Sequence, residues 1–260
     1  MSETAAASPL DVPADWTPER KFQEIMARAL AEMNLHLSPM QAEQLRSLYE
    51  MLAEANETMN LVGEASPEAI ALRHAADSLL LLTTGALDGM DVRYAIDVGS
   101  GAGFPGLPLA IAMPETTWLL VESTGKKSRF LEEAVRSLGL TNTSVSGTRS
   151  EALAHNAVKR ESYDLAVFRA VSTCATICEL GLPFLKTGGR LVAYKGPDIQ
   201  TEVDEAAVAA RTCGGVLRTV VSTRLPLLHH GRSIAVWDKV FSTPEEYPRR
   251  EGIPHQRPLR

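Results

Sequence analysis

The stretch "AIDVGSGAGFPG" (residues 95–106) places Gly99, Gly101, Gly103 and Gly106 within eight positions, behind an apolar run that ends in an acid, Asp97. Glycine tolerates turns and a close ligand approach that a side chain would block. A second apolar run, "TTWLLVES", ends in Glu122. A carboxylate there can accept hydrogen bonds from two ribose hydroxyls. The pair reads as a site for a nucleoside-bearing cofactor beyond the carboxyl ends of two strands. Two cofactor classes use such a loop: dinucleotides and S-adenosylmethionine.

The spacing Gly101-x-Gly103-x-x-Gly106 formally satisfies the dinucleotide fingerprint. Three features point to the methyl donor instead. With the strand ending at Asp97-Val98, the loop opens at Gly99 and its third fingerprint position falls on Phe104, where close helix–strand packing asks for glycine. Asp97 is unfavourable beside a pyrophosphate and suits a ligand with ammonium and sulfonium groups. Pro105 and Pro108 remove N–H donors that phosphate would need at the helix start. A packed turn without a ligand is the plain alternative.

Two later apolar runs end in cations: "YDLAVFRAV" carries Arg169 and "GGRLVAYKG" carries Lys195. An arginine there can donate to guanine O6, a phosphate or a cofactor carboxylate. Lys195 is expected to hold phosphate or base O6, with a salt-bridged structural lysine as the alternative. Lys126, Lys127 and Arg129 cluster in "ESTGKKSRF", and the tail carries Arg249 and Arg250. The formal net charge of −6 supplies no global attraction to nucleic acid. An RNA substrate would therefore need these cations as a local basic face.

The elements that position these residues follow from periodicity. Residues 1–17, rich in Ala, Pro and acids, are expected to be disordered. From Pro18 to about residue 88, apolar residues recur at helical spacing, and Ser38-Pro39 and Ser66-Pro67 mark helix starts. Three helices are expected there. In that region Arg73, Asp77 and Leu80 should share one face, a polar seam toward the loop below. Residues 89–241 alternate strand and helix through seven strands, which implies a mostly parallel sheet with helices on both faces. The last two strands lack a crossover helix, so one should run antiparallel. Residues 242–260, with their prolines and arginines, read as an extended arm.

Composition excludes other classes. The 260 residues are 45% hydrophobic and 22% charged, an ordinary globular balance. No apolar run approaches a membrane span, and the N-terminus lacks the basic-then-apolar pattern of a secretory signal. A cytoplasmic protein is expected. Three cysteines argue against a disulfide framework. Cys174 and Cys178 read as buried thiols on one helical face, with zinc binding the lesser alternative, and no metal is expected.

Taken together, "DVGSGAGFPGLPLAI", "ESTGKKSRFLEEA", "FRAV", "AYKG", the upstream "NLVG…RHAADSLLL" and the tail "YPRREGIPHQRPL" resemble the bacterial RsmG (GidB) family. The resemblance runs in consistent order over about residues 20 to 258. It implies a Rossmann-like class I S-adenosylmethionine-dependent methyltransferase fold and methylation of guanine N7 in 16S ribosomal RNA. The substrate would be that RNA or the small ribosomal subunit particle, and the protein a monomer. It also implies cofactor contacts at Phe104 and Arg169, and at Ser150-Glu151, which would meet the adenine. Asp97, Gly99, Gly101, Gly103 and Glu122 complete the expected cofactor set. Arg169 and Lys195 are the expected catalytic, positioning groups, since guanine N7 carries a lone pair and no proton. The chain lacks the Asn/Asp-Pro-Pro-aromatic segment suited to exocyclic amines and a Pro-Cys suited to cytosine carbon-5.

The competing functions are a methyltransferase of a small molecule or protein, a non-catalytic cofactor-binding module, and an NAD-dependent reductase. The RNA reading predicts salt-sensitive binding despite the acidic net charge. Filter binding should give a clearly negative slope of log affinity against log salt as counterions leave the phosphates. A flat slope would remove the basic face.

Overall fold

The computed structural model describes residues 12–260. Residues 1–11, the larger part of the segment expected to be disordered, lie outside the described residues. Residues 12–17 form a turn onto the first helix. Arg20 sits 3.9 Å over the Trp16 ring, Lys21 Nζ donates to the Ala14 carbonyl, and Val12 packs on the helical core.

Helix α1 (Pro18–Glu32) starts at Thr17, whose side chain accepts from the Arg20 N–H, with Pro18 at its first position. Helix α2 (Pro39–Met59) starts with a capping box: Ser38 accepts from the Gln41 N–H while the Gln41 side chain accepts from the Ser38 N–H. The third helical segment is irregular. Residues Ala69–Ala76 are π-helical, Asp77–Leu79 (α3) is one α turn, and Leu80–Thr83 tightens to 3-10. Such widened turns re-aim side chains and cluster at functional sites. Here the widening splits the expected polar face. Arg73 swings out to Glu64, whereas Asp77 turns inward and is buried.

The alternating region supplies β1 (Tyr94–Val98), α4 (Gly106–Ala112), β2 (Thr117–Val121), α5 (Gly125–Ser137), β3 (Thr143–Ser146), α6 (Ser150–Leu153), β4 (Tyr163–Arg169), α7 (Cys174–Gly181), β5 (Leu185–Lys195), α8 (Gln200–Glu205), α9 (Ala207–Thr212), β6 (Gly215–Arg224) and β7 (Gly231–Lys239). They build one seven-stranded sheet in the order β3-β2-β1-β4-β5-β7-β6. Strands β1 to β5 pair in parallel, and β7 runs antiparallel to both β5 and β6. The antiparallel strand expected from the missing crossover is therefore β7. The strand order reverses between β1 and β4, which opens a crevice at their carboxyl ends. Strands β1, β2 and β4 are buried almost throughout, which explains their continuous apolar runs.

One apolar cluster joins Phe22, Leu45, Leu52 and Leu72 of the N-terminal helices to Phe104, Leu107, Leu120 and Leu131 of the sheet region. The helices share a core with the sheet and roof its α4–α5 side. All three cysteines are buried free thiols, and burial pushes the Cys174 and Cys213 thiols up to about 12.

Gly106 sits where α4 crosses β1 and β2. A Cβ there would lie 2.4 Å from Leu120 Cδ2 and 2.5 Å from Asp97 Oδ2. Gly106→Ala adds helix propensity of at most about 1 kcal/mol, but overpacking at a closed site costs about 1–3 kcal/mol. Urea unfolding should show a net loss of stability, and an unchanged midpoint would mean that α4 can lift away.

Candidate active site

The loop from β1 to α4 has left-handed φ at Gly99, Gly101 and Gly103. At Gly101, with φ +58°, the nearest heavy atom to an added Cβ is the Gly99 carbonyl oxygen at 3.9 Å. The backbone needs glycine while the space beside it stays open, which makes a cradle. Gly106, the glycine of close helix–strand packing, is the third glycine of the formal fingerprint. The Phe104 register therefore did not weigh against dinucleotides. Of the other two features, the missing N–H donors of Pro105 and Pro108 still distinguish the classes, whereas Asp97 does not face the cleft.

Two acids support this loop. Asp97 is fully buried beneath it rather than facing the cleft. Its Oδ2 accepts from the Gly106 N–H at 2.9 Å, and its Oδ1 has no partner. Burial pushes the carboxyl up to about 7, against the lowering effect of that N–H. Glu122 accepts from the Gly101 N–H at 3.0 Å and the Thr124 N–H at 2.7 Å. Each oxygen keeps a second lone pair. Glu122 lines a narrow cleft of about 90 Å³ with Gly99, Ser150, Glu151, Val171 and His255. Glu151 accepts from the Ser150 hydroxyl and from the Gly252 N–H of the C-terminal segment.

On the β4 side lies a polar cluster. Arg169 donates from Nε to Asp77 Oδ2 at 2.8 Å, and Arg232 donates from Nε to Asp77 Oδ1 at 2.9 Å. Arg169 also donates to the Arg73 carbonyl and reaches His74 Nδ1 at 3.4 Å. Its guanidinium carbon lies 6.0 Å from the Phe104 ring centroid, and the His74 ring lies 5.0 Å from the same ring. Burial, reinforced by Arg169 and Arg73, pushes the His74 imidazole down to about 4, so it stays neutral. The expected seam exists, but Asp77 is the only one of its three expected side chains that reaches Arg169; the Arg73 carbonyl and His74 Nδ1 supply the other contacts.

Lys195 is turned onto Glu202 and the Ser172 carbonyl, with only 14% of its side chain exposed. The structural alternative weighed for it matches this geometry. The expected basic face is likewise depleted. Lys126 donates to the Met59 carbonyl and Arg249 pairs with buried Glu179, while Lys127 is half-buried and Arg129 and Arg250 are exposed. The C-terminal segment, expected as an extended arm, folds back because Glu179 needs that charge. Sequence reasoning missed Arg232 and His255. The first had a signal, because an antiparallel strand starts at the edge where the parallel strands end.

Residues 41–229 match the family profile described as GidB, rRNA small subunit methyltransferase G. The chain belongs to this family. The curated relative of that name from Dehalococcoides mccartyi strain CBDB1 is 39% identical over 230 residues, covering 88% of this chain and 97% of the relative. The relative from Deinococcus radiodurans is 39% identical over 248 residues, covering 95% and 96%. Among solved structures, the antibiotic-resistance methyltransferase Kmr aligns with a TM-score of 0.49 and 17% identity over 61% of this chain and 92% of Kmr. The fold itself rests on the strand order: a Rossmann-like class I methyltransferase sheet. The family's methyl donor is S-adenosylmethionine, and the residues present fit it. The Gly101 cradle is open, Glu122 retains acceptor capacity for ribose, and no lysine or arginine lines the cleft except Arg149.

His74 and Asp97 pull stability in opposite directions with pH. Below about 6.5 the unfolded chain takes up a proton that folded His74 refuses, so stability is lost as pH falls toward 4. Folded Asp97 keeps its proton to about 7 whereas the unfolded carboxyl loses it near 4, so this stabilisation is present at low pH and is lost as pH rises through 7. His74→Gln should raise stability at pH 4.5 relative to pH 7.5 when each is compared with the parent chain, and Asp97→Asn should lower it. Urea titrations at both pH values check the signs, and a His74→Gln variant with the parental difference would mean that the imidazole is not held neutral.

Proposed function

We propose that the chain transfers a methyl group from S-adenosylmethionine to N7 of a specific guanine in 16S ribosomal RNA, acting in the cytoplasm as a monomer. The observation that carries this reading is the glycine cradle with Glu122 at one side of the crevice and the Phe104–His74–Arg169–Asp77 cluster at the other. Family membership supplies the substrate class and the acceptor atom. The cofactor, when bound, supplies an electrophilic methyl group on a sulfonium. Glu122 would hold its ribose and the Gly99–Gly103 loop would lie against its amino-acid half.

The chain's own groups suit an acceptor that needs no deprotonation. Asp77 is saturated by two arginines, Glu202 by Lys195, and His74 Nδ1 by Arg169. None of these is a free base. Methylation turns the neutral guanine into a cation, so a cation pressed on N7 would oppose it. Arg169 instead suits O6, a phosphate or the cofactor carboxylate, and acts by positioning. Lys195 ties β5 to α8 and the loop after β4, and through that loop it supports the same crevice. Exposed Arg129 and Arg250 and half-buried Lys127 remain for the phosphate backbone.

The deciding experiment supplies methyl-labelled S-adenosylmethionine with unmodified 16S RNA or small subunits and maps the product by chemical cleavage at N7-methylguanine. One labelled guanine is expected, with a single-turnover rate flat from about pH 6 to 8.5 because no side chain must lose a proton. Label on another atom, or a rate rising tenfold per pH unit, would overturn the reading.

A further inference from the structure

The tail motif "YPRREGIPHQRPL" has no part in the chemistry above, yet it is anchored to the body of the molecule at several points. Glu179 of α7 is fully buried, and Arg249 meets it three times: from its backbone N–H at 2.9 Å, from Nε at 2.8 Å and from Nη2 at 2.6 Å. A buried carboxylate without its partner is strongly unfavourable, so the segment cannot lift off without exposing or stranding that charge. The same Arg249 Nη2 donates to the Arg257 carbonyl at 2.7 Å, which closes residues 249–257 into a loop. Inside this loop, the Gly252 N–H donates to Glu151 Oε1 at 3.0 Å and the Pro254 carbonyl accepts from buried Thr176 at 3.1 Å. His155 Nε2 lies 2.8 Å from the Pro248 carbonyl just before it.

These anchors fix where His255 falls. It follows Pro254 in the short helix α10 (Ile253–Gln256), and its exposed ring lines the cleft that Gly99, Glu122 and Ser150 also line. That cleft sits at the ends of β1, β2 and β3, whereas Arg169 and Asp77 lie at the β4 side. The Glu122 side is the ribose side, so the wall beyond it belongs to the adenosine half of the cofactor.

We propose that residues 249–257 form a wall of the cofactor site and that His255 contacts the adenosine of S-adenosylmethionine, an inference that rests on the methyltransferase reading above. The imidazole offers a flat aromatic face of the kind on which purines stack, and it is the only aromatic ring lining this cleft among the described residues. Glu151 then has a second task. It receives the Gly252 N–H and so ties the wall to the end of the third strand, directly beside the nucleoside. Cofactor binding and seating of the strap become linked, and each must favour the other by the same factor.

The test uses the full chain and S-adenosylhomocysteine, so it reads binding and not turnover. His255→Ala should weaken calorimetric affinity about tenfold, the loss of one base–aromatic contact, with unchanged affinity for 16S RNA measured without cofactor. In the parent chain, S-adenosylhomocysteine should slow hydrogen exchange across residues 249–257. A folded His255→Ala variant with parental affinity for S-adenosylhomocysteine would overturn the proposal, as would a strap whose exchange ignores the ligand. A loss confined to RNA affinity would also overturn it, and would make the strap an RNA contact. Failure of the parent chain to bind S-adenosylhomocysteine at all would instead sink the methyltransferase reading.

Discussion

The contact between Asp97 and Gly106 governs the shape of the crevice. A buried carboxylate reaches from β1 to the first N–H of α4, and only the missing side chain of Gly106 lets the helix come near enough to be held. With both ends of the loop fixed by this bond, the residues between must reverse direction in a short span. They do so through left-handed φ angles that only glycine adopts without strain. Glu122 steadies the middle of the loop through the Gly101 N–H. One acid sets where the loop starts and ends, and the other sets its height above the sheet. The ligand meets a backbone already in place, which reduces the ordering that binding must impose.

Buried charges do the same work at larger scale. Asp77 holds Arg169 from β4 and Arg232 from β7, and so joins the N-terminal helical region to two strand ends at once. Arg190 reaches from β5 to the Ala86 and Asp88 carbonyls and to Asp238. Lys239, fully buried, gathers the Leu182 and Cys213 carbonyls and Thr243. Glu179 holds the C-terminal segment through Arg249. None of these ties is strong evidence of net stability, since desolvation offsets most of the attraction. Their value is specificity: an apolar surface would let a peripheral segment slide, whereas a buried ion has one partner geometry.

The strand sequence, the helix starts at Ser38-Pro39, the glycine loop and Glu122 were legible because each is a local rule. Period, capping and φ preference act within a few residues. The antiparallel strand was legible for a similar reason, from a missing crossover. What was not legible depends on which partner each charge finds once the chain is folded. Lys195 and Arg169 look alike as cations at neighbouring strand ends. One is matched by Glu202, seven residues on, and the other by Asp77. The tail looked like an arm because prolines and arginines dominate it, and nothing local marks Glu179 as a buried acid awaiting Arg249. The π-helical turns before Asp77 were invisible for the same reason. They relieve no local preference, but they point Asp77 at two arginines from the sheet.

These ties also explain how an acidic chain can present a site to RNA. Most of its cations near the crevice are neutralised internally, so they hold shape and project little field. Of the cations left in solvent, Arg149 lines the cleft, and Arg129 and Arg250 lie outside its lining. These exposed cations would supply the salt-sensitive attraction, and fit between the rim of the crevice and the folded surface of the RNA would supply the rest. A protein built this way discriminates by shape before charge. That suits an enzyme whose chemistry needs only that one lone pair be brought into line with one methyl group, with water kept out.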